Sequence, residues 1–404
     1  MSGENTITTL NGMFKEVYAS KIENLVPEGT KLLNKLPFSQ KESQLGGYYH
    51  QPVVLGLEHG VTFAAGGDDA FALNGPINGV MKDATVRGAQ MVLRSVIGYG
   101  AASRASSGKA AFMDATKFLV QNMLRSMSRK AEIEILYGSS GLAVISSIAT
   151  TPVLQINPQE WAPGIWAGAE SMPINIRTSA GVDHGNAVVT AVSFANKTIT
   201  VNIDPGAVNG DFIYFLGAYQ KEMAGVHMIL LNSGTIFGID ASAYNLWKAS
   251  TSDAGNADLS FEIVQDAVAH AVEKGLDNDV TVMVNVSSWS KLMTDQAALR
   301  MYDSSYSTST SENGSKTIKF YGQNGVIEIV PSIYVKQGYA YVLSMDDFMR
   351  VGSTDITFRR PGRGDEFFRE LDGQAGFELR AYSDFALFCH APGRSALIFN
   401  IKAV

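Results

Sequence analysis

Between Lys109 and Leu136 the apolar residues Phe112, Ala115, Leu119, Met123 and Met127 recur in steps of three and four, which places them on one face of a helix. At about 1.5 Å per residue this helix runs about 40 Å, and Gly138 is placed to end it. Ahead of it the pattern is that of strands. Two β-prone stretches, Tyr48 to Leu57 and Val80 to Tyr99, flank a loop of Gly, Ala, Asp and Asn, which predicts a long hairpin with a soft tip. A two-stranded ribbon is marginal in water. Tyr48, Tyr49, Val53, Met91, Val92 and Val96 therefore need cover, from a neighbouring subunit or from the hairpin's own domain. Residues 1 to 43 hold short amphipathic stretches broken at Pro27-Glu28-Gly29 and Pro37, with too few apolar positions for a lobe, and read as an arm lying on something else.

After the helix the period changes again. Residues 150 to about 225 read as short strands and turns, most plainly Ala187 to Phe194 followed by Thr198 to Ile203 and a turn at Asp204-Pro205-Gly206. Leu259 to Lys274 is an amphipathic helix with Ile263, Val264, Ala267 and Ala271 inward and Gly275 as its stop, and Val280 to Val286 is a strand. Residues 303 to 317 read as an exposed loop. Asn324-Gly325 then separates Ile318 to Tyr321 from Val326 to Val330, a hairpin signal, and Tyr339 to Leu343 extends that sheet. Phe377 to Cys389 and Ala396 to Ile401 close the chain as two more strands around Pro392-Gly393.

Composition sharpens this picture. With 404 residues and 46% hydrophobic content the chain buries a large core and exceeds the usual single-domain size, so an α+β protein of two or more lobes is expected. A net charge of −7 argues against a surface built throughout for nucleic acid. Local basic faces remain open, and Lys117, Arg125, Arg129 and Lys130 on the long helix are either DNA-facing or a solvated helix face. The lone Cys389 has no partner for a disulfide or a thiolate metal site, the N-terminus lacks a signal-peptide pattern, and no apolar run is long enough for a membrane span. Folding in a reducing cytoplasm is the expectation.

No pattern carries catalysis, a cofactor or a metal. His50, His59, His184, His227, His270 and His390 lie far apart. The stretch from Gly98 to Lys109 imitates a phosphate loop, but Ser103 replaces its first glycine and Ala110 its magnesium-binding hydroxyl. Cys389 and His390 point to opposite faces of a strand, so they are not a catalytic pair. The densest charge run is Arg359, Arg360, Arg363, Asp365, Glu366 and Arg369, either a solvated turn or an inter-subunit staple.

The order of arm, long hairpin, long helix and mixed lobes resembles the Hong Kong 97-type fold of tailed-bacteriophage major capsid proteins. Local stretches add to the likeness: Gly234-Thr235-Ile236-Phe237-Gly238-Ile239-Asp240 with Tyr244 and Trp247, Val282-Met283-Val284-Asn285 with Trp289 and Leu292, and Tyr382-Ser383-Asp384 with Pro392-Gly393-Arg394. The resemblance implies an N-terminal arm at 1–43 and an extended β-hairpin loop at 44–107. It implies a spine helix and the start of a peripheral domain at 108–150, and a small β-rich insertion at 151–225. An axial domain with a peripheral-domain helix at 226–360 and a return to the peripheral domain at 361–404 complete it.

Function on that resemblance is structural: a coat protein, not an enzyme, forming homo-hexamers and homo-pentamers of an icosahedral head around double-stranded DNA. It is assembled in the host bacterial cytoplasm and found in the virion. Tyr48, Tyr49, Arg87, Arg94, Arg359, Arg360, Arg363, Asp365 and Glu366 are the candidate inter-subunit contacts. The implied partners are a portal, possible decoration proteins, packaged DNA held without sequence preference, and a scaffolding protein. Because no highly charged helical extension precedes the arm, that scaffold is expected as a separate gene product; no membrane partner is expected. An encapsulin-like nanocompartment shell shares the fold and is the first alternative, and a β-rich soluble binding protein or enzyme the second.

Overall fold

The computed structural model describes residues 29–39, 48–67, 70–98, 109–150, 152–294, 318–323, 325–359, 368–373 and 375–404. The hairpin forms as its alternation predicts: Tyr49–Gly56 pairs antiparallel with Val80–Val86, from Tyr49 opposite Val86 to Gly56 opposite Val80. Pro52 is tolerated because a two-stranded ribbon leaves one side of each strand unpaired. The stretch predicted as one strand from Val80 is broken at Arg87-Gly88, and Ala89–Gly98 joins a different sheet, antiparallel to Gly376–Cys389. Glycine at the break leaves room for Asp384, since a Cβ on Gly88 would lie 2.4 Å from Asp384 Oδ1. Gly376–Cys389 also pairs with Phe348–Thr357 and Phe368–Glu370, and Phe38–Ser39 adds a parallel edge to Phe348–Thr357.

The long helix spans Lys109–Tyr137 and packs its apolar stripe on that sheet, with Met123, Leu119 and Val120 against Leu93, Leu379 and Ala381. It ends where glycine was expected, but the left-handed residue is Ser139, at φ 64°. Gly138 serves a different need: a Cβ there would sit 2.3 Å from the Met223 carbonyl oxygen.

Residues 143–215 close into a six-stranded barrel in the order Phe212–Phe215, Ala143–Thr150, Val153–Ile156, Thr198–Val201, Asp183–Ser193, Pro173–Arg177. Ile145, Leu154, Ile174, Val189, Ile199 and Ile213 fill it, each fully buried, and closure leaves no free sheet edge. The barrel begins at Ala143, so the last strand of the segment expected as 108–150 pairs with strands of the segment expected as a β insertion from residue 151.

A second core lies under a six-stranded mixed sheet ordered Ser250–Asp253, Ala396–Phe399, Ala340–Leu343, Val280–Asn285, Val326–Ser332, Ile318–Tyr321. Phe261–Val272 packs on it through Val264, Ala267, Val268 and Ala271, starting at a Ser260 N-cap whose Oγ accepts from Ile263 N at 3.3 Å and stopping before Gly275 at φ 92°. The two closing strands separate here: Gly376–Cys389 lies in the first sheet and Ala396–Phe399 inside the second. The segment expected to return to the peripheral domain, 361–404, supplies strands to both sheets, and Phe348–Thr357, expected with the axial segment, pairs in the first sheet.

Candidate assembly surfaces

The ribbon is covered at its root and bare beyond it. Tyr49 meets Phe388 edge to face at 5.2 Å, Val53 and Met91 pack on the main core, and Thr85 N donates to Phe237 O at 2.8 Å. Farther out Leu57 is 74% exposed, Leu73 79% and Phe63 90%. Of the other candidates for cover, Tyr48 is exposed with the Arg87 guanidinium 5.9 Å from its ring, and Val92 and Val96 lie exposed on the first sheet. A monomer gains nothing by presenting such side chains to water; burial of each would contribute about 1.5–3 kcal/mol.

Charged candidates divide. Arg94 Nε lies 3.1 Å from Glu378 Oε1, and Arg380 donates to the same oxygen, so one carboxylate holds two guanidiniums on an open sheet face. The hydrogen bond from Arg380 holds that carboxyl below the usual carboxylate range. Arg359 is exposed, its N–H donating to Thr357 Oγ1 at 3.1 Å. Arg360, Arg363, Asp365 and Glu366 lie outside the described residues.

The basic helix face is smaller than its spacing implies. Arg129 turns inward and donates to the carbonyls of Gly164 and Ile165 at 2.8 and 3.1 Å, and the Lys130 ammonium lies 5.5 Å from the Phe215 ring centroid. Burial lowers both groups below their ordinary range. Both residues serve the helix–barrel contact, because the barrel occupies the side of the helix that the sequence leaves to solvent. Arg125 remains exposed, and the Lys117 side chain lies outside the described residues.

The arm segment is held by buried charge. Glu132 on the long helix accepts from the backbone N–H groups of Lys31, Leu32 and Leu33 at 3.1, 2.9 and 2.7 Å. Burial raises its carboxyl, and the three donors oppose that rise. Arg350 Nε donates to Leu36 O at 3.2 Å while its other end pairs with Asp355 at 2.7 Å.

Where helix, barrel and second sheet meet, Lys336 is buried with Nζ 2.6 Å from Glu160 Oε2, 3.1 Å from Gly141 O and 4.4 Å from the Tyr137 ring. Tyr339 donates to the other Glu160 oxygen at 2.7 Å, and His227 Nδ1 lies 3.1 Å from Tyr341 Oη. The Lys336 charge holds Glu160 below its usual range against the opposing effect of burial, and burial lowers His227 to about 4. None of these residues is singled out by sequence pattern; Glu160 and Lys336 are 176 positions apart. Among the described residues no three His, Cys, Asp or Glu side chains are grouped to hold a metal ion, and no helix is long and apolar enough to cross a membrane. Cys389 is fully buried, which pushes its thiol well up and away from nucleophilic use.

No protein-family model matches this chain, and no curated protein matches it. Solved structures do. A chain of the cyanophage A-1(L) capsid asymmetric unit aligns over 98% of this chain and 100% of its own length, with a TM-score of 0.53 at 13% identity. The capsid chain of a native GTA particle aligns over 98% and 99%, with a TM-score of 0.55 at 8% identity. The fold is that of a phage capsid shell protein. At such identities what is shared is the chain path. Both alignments run through the barrel as well as the two sheets, since each covers nearly the whole chain.

Proposed function

We propose that this chain is the major capsid protein of a tailed bacteriophage, self-assembling into hexamers and pentamers of an icosahedral head around double-stranded DNA. The observation that carries the reading is the end-to-end likeness to capsid shell chains. The apolar ribbon side chains left exposed among the described residues are consistent with it. In this reading residues 29–39 are the docked end of the arm, the ribbon is the extended loop that overlaps a neighbour, and Lys109–Tyr137 is the spine helix. The first sheet belongs to the peripheral domain and the six-stranded sheet to the axial domain, whose loops meet at capsomer centres.

A contact between unlike patches of identical subunits closes into rings when its rotation permits, which suits one chain to both sixfold and fivefold capsomers. Arg87, Arg94 and Arg359 are the described charged side chains proposed to face neighbours, and Arg125 the one proposed to face DNA. A separate scaffolding protein, a portal and decoration proteins are the further partners proposed, with assembly in the host cytoplasm.

Negative-stain electron microscopy of the recombinant full chain, alone and with scaffold or crowding agent, tests the reading. Closed shells or capsomer rings tens of nanometres across are expected on general size grounds. A monodisperse monomer or dimer under every condition would remove it, and DNA-free shells enclosing a protein cargo from the native source would replace the phage head with a nanocompartment.

A further inference from the structure

Residues 29–39 touch both large sheets of the chain. At one end the Lys31 ammonium donates to Pro331 O at 2.6 Å and Lys35 pairs with Glu328 at 2.6 Å, both partners lying in the Val326–Ser332 strand of the six-stranded sheet. Gly29 packs just beyond that strand, where a Cβ would sit 3.2 Å from the Ile333 side chain. At the other end Arg350 N donates to Pro37 O at 2.9 Å, Arg350 Nε donates to Leu36 O at 3.2 Å, and Phe38–Ser39 pairs in parallel with Arg350 and Val351 of the first sheet. Between these ends the Leu32–Lys35 turn lies on the long helix, with Leu32 and Leu33 buried and its leading N–H groups held by Glu132.

We propose that this segment is a strap that limits the separation of the two sheets, with the Leu32–Lys35 turn as its reserve of length and Glu132 as the catch that keeps the turn wound. Even fully extended, the chain from Lys31 to Phe38 spans no more than about 25 Å, so a segment anchored at both ends bounds how far the sheets can part. Helical backbone rises about 1.5 Å per residue and extended backbone about 3.3 Å, so unwinding the four-residue turn would lengthen the strap by about 7 Å. The bond that closes the turn, Leu36 N to Leu32 O at 3.0 Å, does not by itself offset the order it imposes in water. The Glu132 carboxyl does, because it accepts from three successive N–H groups at once.

The two anchors differ in kind. Lys35 reaches the six-stranded sheet with a long side chain 36% exposed, a contact that water and salt weaken. Arg350 holds the other end through its own backbone and a buried guanidinium, which makes that anchor the firmer one. The main core contains residues of both sheets, Tyr341 and Leu397 from one and Phe385 and Phe388 from the other. The fold therefore does not depend on the strap alone, and loosening the strap leaves two sheets that stay joined but separate more freely.

Double electron–electron resonance on the full-length chain tests this, with spin labels at Val96→Cys in the first sheet and Tyr321→Cys in the second, positions 48% and 84% exposed, while the buried Cys389 stays unlabelled. Labelled chain is diluted into unlabelled chain so that distances within one molecule are read. Without further substitution the pair is expected to give one narrow distribution. Glu132→Ala is expected to broaden it toward distances up to about 7 Å longer and to speed exchange of the Arg350 amide at least about tenfold. Lys31→Met with Lys35→Met frees the other end while leaving the Glu132 carboxyl in place, and is expected to broaden the distribution in the same direction; should Glu132→Ala fail to fold, this variant alone decides. Distributions unchanged by either substitution would overturn the strap, the core then setting the separation by itself. An Arg350 amide as slow in Glu132→Ala as in wild type would overturn Glu132 as the catch. Both readouts come from within a single chain, so their failure leaves the capsid reading untouched and failure to assemble leaves the strap untouched.

Discussion

His227, Lys336 and Glu160 show how single buried groups set the stability of a junction. His227 is neutral when folded, with its basicity lowered to about 4, and unfolding returns it to ordinary histidine. Its contribution is fully present above about pH 6.5 and is lost as pH falls through the folded value, about 3 kcal/mol in all. Urea denaturation at about pH 7.5 and about pH 5 should therefore show wild type losing about 2 kcal/mol more than His227→Gln, which keeps a hydrogen-bonding side chain without titrating. Lys336→Ala leaves Glu160 buried without its cation and should cost about 3–5 kcal/mol, whereas Lys336→Met with Glu160→Gln should recover most of that loss. A denaturation series on the two variants checks the comparison.

At the scale of elements, the arm segment is docked at its middle by one side chain on another element. The Leu32–Lys35 turn is too short to be stable alone, and Glu132 satisfies the N–H groups at its start that no intrahelical partner reaches. Glu132→Ala should destabilise by about 3 kcal/mol, the scale of losing charge-assisted bonds at a buried site. Limited proteolysis should cut within residues 29–39 faster in that variant while leaving the six-stranded sheet intact. Sequence alone places the amphipathic break at Pro37 but not the dock, because a lone glutamate in a helix reads as solvated until the chain that covers it is known.

For the whole molecule, the ribbon separates folding from assembly. Phe63 and Leu73 touch solvent in the monomer, so Phe63→Asp with Leu73→Asp should leave the thermal midpoint of the unassembled chain within about 2–4 °C of wild type. Under the capsid reading the same double variant should abolish rings and shells in electron microscopy. Loss of the fold itself, seen by circular dichroism, would mean the ribbon carries stability instead.

Periodicity determined the elements, because it reports which side of a segment is buried regardless of what buries it. The long helix, the ribbon strands, the Ser260-to-Gly275 helix and the strands on either side of residue 324 all stand within a few residues of their expected places. The resemblance in element order also reached the capsid fold that the solved structures share. What periodicity does not encode is which faces meet. Arg129 and Lys130 look solvent-facing until the barrel is set beside them, Val80 to Tyr99 looks like one strand until its two halves pair with different partners, and the last two strands follow each other in sequence but lie in different sheets. Glu132, Glu160 and Lys336 acquire their roles only from partners far along the chain, since the free energy of a buried charge depends on what the tertiary fold places next to it.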